Sequence, residues 1–246
     1  MAHACSVSNP YTHDAALCSL RVLLARAEPF MTEAELEAIR LSLSVALRSV
    51  LVSLPFAVAV AWLLSRPRLR ARMLLDAVVH LPLVLPPVVV GYLLLLLFGI
   101  RGPIGSWLYE SFGVQLIFTT GGAALATAVM SFPLVVRSIR LSLENVDRGL
   151  EDAARTLGAG PWDRFFTITL PLMLPGVLAG SVIAFAAGLG EFGAVITFAS
   201  NIPGETRTLP LALYTALQTP GGDALRARLA AISVALGLLG FLTWGR

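Results

Sequence analysis

Residues 165–190 read FFTITLPLMLPGVLAGSVIAFAAGLG and contain no charged side chain. An α-helix rises about 1.5 Å per residue, so about 20 residues cross the hydrocarbon core of a bilayer. A helix of this length in water would need a polar face, which this run lacks. The stretch therefore predicts a membrane-spanning helix.

Four other apolar runs of similar character flank this stretch, at about residues 41–65, 74–100, 114–136 and 229–244. The composition agrees, because 57% of the 246 residues are hydrophobic and 13% are charged, against about 25% charged in soluble domains. The net charge of +3 does not indicate nucleic-acid binding, because the arginines lie between apolar runs instead of forming a basic stripe. The sequence predicts an all-α membrane protein, a polytopic helical bundle with about five transmembrane helices in a lipid bilayer.

The start of the chain has a different character. Residues 1–37 are polar and lack the basic, apolar and small-residue regions of a signal peptide. We interpret them as an extracytoplasmic, partly disordered extension that precedes a transmembrane domain at residues 38–246. Met31 is followed by Thr32 and, three residues later, Glu35, which is a helix-start pattern and makes Met31 a candidate first residue.

The arginines indicate how the spans are oriented. Nine arginines lie in the first and third connections: Arg66, Arg68, Arg70, Arg72, Arg137, Arg140, Arg148, Arg155 and Arg164. Four lie in the second and fourth connections: Arg101, Arg207, Arg226 and Arg228. Cytoplasmic loops of membrane proteins are enriched in Lys and Arg. We therefore predict a protein of the inner (cytoplasmic) membrane, with its N-terminus outside and its C-terminus in the cytoplasm.

The third connection is long and patterned. Residues 150–171 read LEDAARTLGAGPWDRFFTITLP, and apolar side chains at 150, 153, 154 and 157 form one face of a short helix. Gly158 suits a left-handed helix end, and Gly160-Pro161 suits the start of a second helix. The pattern predicts short cytoplasmic coupling helices that dock into a partner's groove. The alternative is an amphipathic loop on the membrane surface.

This connection resembles the EAA motif of ABC-importer permeases, with Asp152 where the motif has Glu. The matching residues are Glu151, Asp152, Ala153, Ala154, Gly158, Ile168, Leu170 and Pro171. Two more segments, residues 81–92 and 189–222, resemble the molybdate permeases among the ABC importers. Within the second segment, residues 201–208 resemble the molybdate permeases more than the related sulfate permeases. Similar proteins tend to continue for a few residues beyond the position of Arg246.

The resemblance implies a permease subunit that moves molybdate, with tungstate or sulfate as alternatives. It also implies a homodimer, two cytoplasmic ATP-binding subunits that hold ATP and Mg and bind the EAA segments, and an extracytoplasmic oxyanion-binding protein.

Helix breakers mark a candidate pathway or gate. Pro86, Pro87 and Gly91 interrupt the second span, and Glu191 and Gly193 follow the fourth. Breaks inside a membrane are tolerated where protein or a water-filled path satisfies the backbone, although ordinary kinks are the alternative. We expect Glu191 to pair with an arginine or to shape the gate.

Catalytic signatures are missing from the sequence. It has no P-loop, no lysine, no nucleophile–base pair and no metal-ligand spacing, and Cys5 and Cys18 form no metal motif. We predict that the chain is not an enzyme and holds no cofactor itself. His80 follows Asp76 by four residues, and this spacing predicts a hydrogen-bonded pair or a proton relay. Arg48 is one of few cations in the predicted spans. A secondary transporter, the alternative class, would show repeated halves, and no repeat is visible.

Overall fold

The computed structural model describes residues 31–65, 72–220 and 223–244. Within these ranges the chain is helical and contains no strand, as predicted. The helices are α1 (Glu33–Leu64), α2 (Arg72–Val84), α3 (Pro87–Phe98), α4 (Pro103–Phe112), α5 (Thr120–Glu144), α6 (Arg148–Thr156), α7 (Pro161–Arg164), α8 (Leu170–Leu189), α9 (Gly193–Phe198), α10 (Leu209–Gln218) and α11 (Asp223–Trp244). A π-helical turn, Phe165–Thr169, joins α7 to α8.

Three stretches in the described residues are long and apolar enough to cross a membrane: α1, α5 and the continuous helix Pro161–Leu189. A fourth span is formed if α2 and α3 count as one, although they are bent by 116°. The fifth predicted span lies within α11. The number five therefore stays a prediction.

Two of the predicted spans differ in detail from the helices of the structure. The run 74–100 is divided at the predicted breakers, because α2 ends at Val84 and α3 begins at Pro87. Proline lacks the backbone N–H and disfavours helical geometry at the preceding residue, so Pro86-Pro87 breaks the helix. The run 114–136 is also displaced, because the helix there begins at Thr120 and continues to Glu144.

The start of α1 follows the predicted pattern. The Thr32 hydroxyl accepts from the Glu35 backbone N–H at 3.3 Å, and the Glu35 carboxylate accepts from the Thr32 N–H at 2.6 Å. This reciprocal capping begins the helix at Glu33, so residues 33–37 are helical and not part of an irregular extension. Residues 1–30 of the predicted extension lie outside the described residues.

Small residues bring the long helices together. Ser138 of α5 donates its hydroxyl to the Gly176 carbonyl of α8 at 3.0 Å, and a Cβ at 176 would lie 2.8 Å from the Ser138 carbonyl oxygen. Close approach of this kind allows the van der Waals packing and hydrogen bonding that hold helices together in lipid. At Gly188 of α8, a Cβ would be 2.9 Å from Thr127 of α5 and 3.4 Å from Ala46 of α1. The helices α1, α5 and α8 thus form one packed unit.

The molecule has two distinct ends. At one, which we call the coupling end, α5 leads into α6 and the start of α2 lies beside the end of α5, since Arg72 is 3.7 Å from Glu144. At the other, the opposite end, the starts of α1 and α11 meet. There the buried Glu35 carboxylate pairs with Arg228 at 3.1 Å.

Candidate functional site

The segment of residues 150–171, here the coupling segment, begins inside a capped helix. The Asp147 carboxylate accepts from the Gly149 backbone N–H at 2.8 Å and starts α6. Glu151, Asp152, Ala153 and Ala154 all lie in α6. Asp152 is exposed and lies 3.9 Å from Arg155, so its carboxylate is available at the surface.

The turn after α6 adopts the predicted left-handed geometry. Gly158 has φ of +88°, and the Ala159 backbone N–H donates to the Ala154 carbonyl at 3.0 Å. This bond satisfies a terminal carbonyl of α6, as in a Schellman motif. Gly160 is extended, with φ of −68°, and Pro161 occupies the first turn of α7. The helix–glycine–helix pattern expected from the sequence is present.

Four large apolar side chains of the coupling segment are exposed at its surface. Leu157 is 87% exposed and Trp162 is 74% exposed, and Leu150 and Phe166 are also exposed. Trp162 and Phe166 stack on each other, with ring centroids 6.3 Å apart. Exposed aromatic and leucine side chains of this kind are typical of a surface that binds a partner.

The segment is anchored to the membrane helices at its second half. Phe165 packs edge-on against Trp62 near the end of α1, with centroids 5.9 Å apart. The π-helical turn then leads through Ile168 into Leu170 and Pro171, which begin α8. Because Pro161–Leu189 is helical throughout, a displacement of α7 acts directly on the span that follows.

A charged network lies at the same end. The Arg140 guanidinium of α5 lies 3.0 Å from the Asp76 carboxylate of α2 and 2.9 Å from Glu144. His80 Nδ1 lies 2.9 Å from the Asp76 carbonyl oxygen and 3.5 Å from its carboxylate. The i,i+4 pair predicted from the sequence is present, but the main partner of Asp76 is Arg140, 64 residues away, which local spacing did not indicate.

The predicted pathway residues meet at the opposite end, where α3 crosses α9. A Cβ on Gly91 would lie 2.7 Å from the Ala194 carbonyl oxygen, and a Cβ on Gly193 would lie 2.7 Å from Pro87. Pro86 is the N-cap residue of α3. Gly91 and Gly193 are therefore points of close helix contact, whereas the sequence analysis treated Gly91 as a break in the second span.

Glu191 has a different partner from the one expected. Its carboxylate accepts from the Ala194 backbone N–H at 2.9 Å and caps α9. Among the described residues no arginine pairs with it, and the gate role that was the other expectation stays a prediction. Burial raises the pKa of this carboxyl group, and backbone N–H bonds from Ala194, Phe192 and Gly193 partly oppose that effect.

Residues 201–208 form a compact loop at the same end. Asn201 donates to the Thr215 hydroxyl of α10 at 2.7 Å and accepts from Arg207 Nε at 3.0 Å. The Thr206 hydroxyl accepts from the Ile202 N–H at 2.9 Å and donates to the Ser200 carbonyl at 3.1 Å. These bonds give the polar residues of this loop a structural role that the sequence analysis missed.

The profile of one protein family covers most of the chain. It is the family described as binding-protein-dependent transport system inner membrane component, and it matches residues 53–243. The chain belongs to this family.

Relatives of this permease are similar along nearly their whole length. The Escherichia coli (strain K12) molybdenum transport system permease protein ModB is 61% identical over 212 residues, which cover 86% of this chain and 93% of that protein. The Haemophilus influenzae protein of the same name is 59% identical, over 85% of this chain and 91% of its own length.

A solved structure supports the fold of the permease. The crystal structure of a bacterial alginate ABC transporter, in complex with a periplasmic protein, contains a chain that matches with a TM-score of 0.69 at 15% identity. The match covers 95% of this chain and 87% of that one. At this identity the likeness concerns the fold alone.

Proposed function

We propose that this chain is the membrane-spanning permease subunit of an ATP-driven importer and that its cargo is molybdate. The observation that carries the cargo is the 61% identity to the E. coli permease, whose name assigns it to molybdenum transport. The tetrahedral relatives tungstate and sulfate are the alternative cargoes. The chain itself catalyses no reaction.

The coupling segment is the proposed docking site for the cytoplasmic ATPase. Each of the two copies of the chain would bind one of two ATPase subunits through this segment. Support comes from its exposed Leu157 and Trp162 and from the rigid turn at Gly158. Helices with such apolar side chains bind in grooves of partner proteins. ATP and Mg would be held by the partner, and the residues from Glu151 to Pro171 that match the EAA motif would receive the movement.

Two further partners belong to the proposal. Two copies of the chain form the pathway between them, and an extracytoplasmic oxyanion-binding protein delivers the cargo. The description of the family as binding-protein-dependent supports the second partner. The resemblance of residues 150–171 to the EAA motif of ABC-importer permeases supports the first.

The proposed topology places the coupling end in the cytoplasm. The ion pair of Glu35 with Arg228 holds the starts of α1 and α11 at the opposite end, which then lies outside. In this arrangement the N-terminus is external and the C-terminus is cytoplasmic, and the transmembrane domain begins with α1 at Glu33. In it, α2 and α3 form one broken span and α11 forms the fifth.

The α3–α9 crossing is the proposed gate, made by Pro86, Pro87, Gly91, Glu191 and Gly193. The cap that Glu191 places on α9 fixes the position of this short helix against α3. Rigid-body rocking of the two copies would then open and close the path at this level.

Reconstitution tests the proposal. The chain is placed in proteoliposomes with its ATPase and binding protein, and uptake of labelled molybdate is measured against tungstate and sulfate. We expect molybdate uptake that needs ATP and all three proteins. Uptake of sulfate but not molybdate would refute the cargo, and uptake driven by an ion gradient without the ATPase would indicate a secondary transporter.

A further inference from the structure

Arg48 is a cation in the interior of a membrane-spanning helix. It follows Glu33, the first residue of α1, by 15 positions and precedes Leu64, the last, by 16. Ala46, two residues earlier, packs at Gly188 of α8 together with Thr127 of α5. Thr127 is about 10 Å inside the start of α5, by the rise of an α-helix. Arg48 therefore lies within the membrane, in the half nearer the opposite end.

No protein group in the described part of the chain neutralises this charge. Arg48 is exposed, and it makes no hydrogen bond or ion pair with residues 31–65, 72–220 or 223–244. The residues one turn away on its own helix are Ser44, Val45, Leu51 and Val52, and none is acidic. By contrast, Arg140 and Arg228 both pair with carboxylates.

A charged side chain inside the bilayer is costly, so such residues face a protein interior or a water-filled cavity. Arg48 has no such partner among the residues that the structure describes, so a partner supplied from outside them has to be considered. A guanidinium presents planar donors that match the oxygens of an oxyanion better than an ammonium does. A tetrahedral oxyanion is the ligand class that fits this group.

We propose that Arg48 faces the translocation pathway and binds the oxyanion during its passage. This inference rests on the proposed function. In a homodimer the two symmetry-related Arg48 side chains supply two positive charges, which balance the charge of one molybdate dianion. A site of two cations without further ligands binds weakly, and weak binding allows the ion to leave on the other side.

The test compares Arg48→Gln and Arg48→Lys with Arg40→Gln in proteoliposomes that contain the ATPase and the binding protein. Arg40 is an exposed arginine of the same helix, about 12 Å nearer its start. We expect Arg48→Gln to lower molybdate uptake by on the order of tenfold or more, Arg48→Lys to lower it less, and Arg40→Gln to leave it unchanged. ATP hydrolysis stimulated by the binding protein should persist in all three.

Wild-type uptake by Arg48→Gln would overturn the proposal, as would loss of the assembled complex in that variant, since Arg48 would then pair with protein. Uptake ratios of variant to wild type are measured for molybdate, tungstate and sulfate. A wild-type chain that carries only sulfate refutes the proposed cargo, while the role of Arg48 is still judged on the sulfate ratio.

A second measurement does not depend on transport. Arg48→Cys is made in a chain that also carries Cys5→Ser and Cys18→Ser, and is treated with a charged, membrane-impermeant methanethiosulfonate. We expect modification that molybdate slows, because a thiolate forms in water but not in lipid. An unreactive thiol in the assembled complex would place this position against lipid or protein and overturn the proposal.

Discussion

Replacement of Gly158 by valine tests the coupling segment through backbone geometry alone. Gly158 has φ of +88°, and a Cβ at this position would meet no atom within 4 Å. The substitution therefore introduces no clash. Its cost is the left-handed conformation that ends α6 and directs the chain into α7.

The magnitude follows from that conformation. An L-residue in the left-handed region costs about 1–2 kcal/mol, and a β-branched side chain is especially unfavourable there. A cost of one or two kcal/mol changes a conformational population by a factor of about 5–30. Gly158→Val should reduce the fraction of chains with the docking geometry by this factor. Gly158→Asn is the matched control, because asparagine also occurs at left-handed helix ends.

The assay measures molybdate uptake per ATP hydrolysed, together with the amount of ATPase that copurifies with the permease. We expect the valine variant to hydrolyse ATP with poor uptake, or to lose the ATPase, and the asparagine variant to remain close to wild type. If valine and wild type give equal uptake with equal bound ATPase, the geometry at Gly158 does not govern coupling.

Three further changes have defined consequences for stability, each measured as thermal unfolding of the detergent-purified protein. Gly176→Val forces α5 and α8 apart and should cost about 1–3 kcal/mol, since its Cβ would lie 2.8 Å from a backbone oxygen; an unchanged midpoint would contradict the packing. Glu35→Gln removes the charge that faces Arg228 and should cost about 1–3 kcal/mol, whereas no loss would show that this pair is dispensable. Asp76→Asn should cost less than about 1 kcal/mol because its pair with Arg140 is partly solvated, and a larger loss would indicate a buried network.

Features determined by neighbouring residues were predictable from the sequence. The Thr32–Glu35 capping box, the glycine-terminated helix α6 and the proline-initiated helix α7 each depend on a few consecutive residues. Their geometry is fixed by local backbone preferences and short hydrogen bonds, so a pattern of residue types suffices to predict them.

Features that join distant segments were not predictable in this way. Hydropathy located the apolar run 74–100, but the bend of 116° depends on what α3 packs against after Pro86. The contact of Gly91 with α9 and the pair of Asp76 with Arg140 join parts of the chain about 100 and 64 residues apart. A single sequence has no signal for such pairings. Gly176, Gly180 and Gly188 are an exception, since their spacing of four and eight is a readable close-packing pattern.

The packing contacts define a continuous route from one end of the molecule to the other. Helix α8 continues directly from the coupling segment, and Gly176 and Gly188 fix it against α5. Past its far end, Gly193 and Gly91 bring α9 against α3. Since the backbone and side-chain atoms of the facing helices lie at contact distance at these glycines, α3, α5, α8 and α9 should move together when the coupling segment moves. On the proposed function, a push from an ATPase would displace the α3–α9 crossing as a unit. The helix of Arg48 packs against the same unit at Ala46, so the proposed exposure of Arg48 to the path would change with that movement.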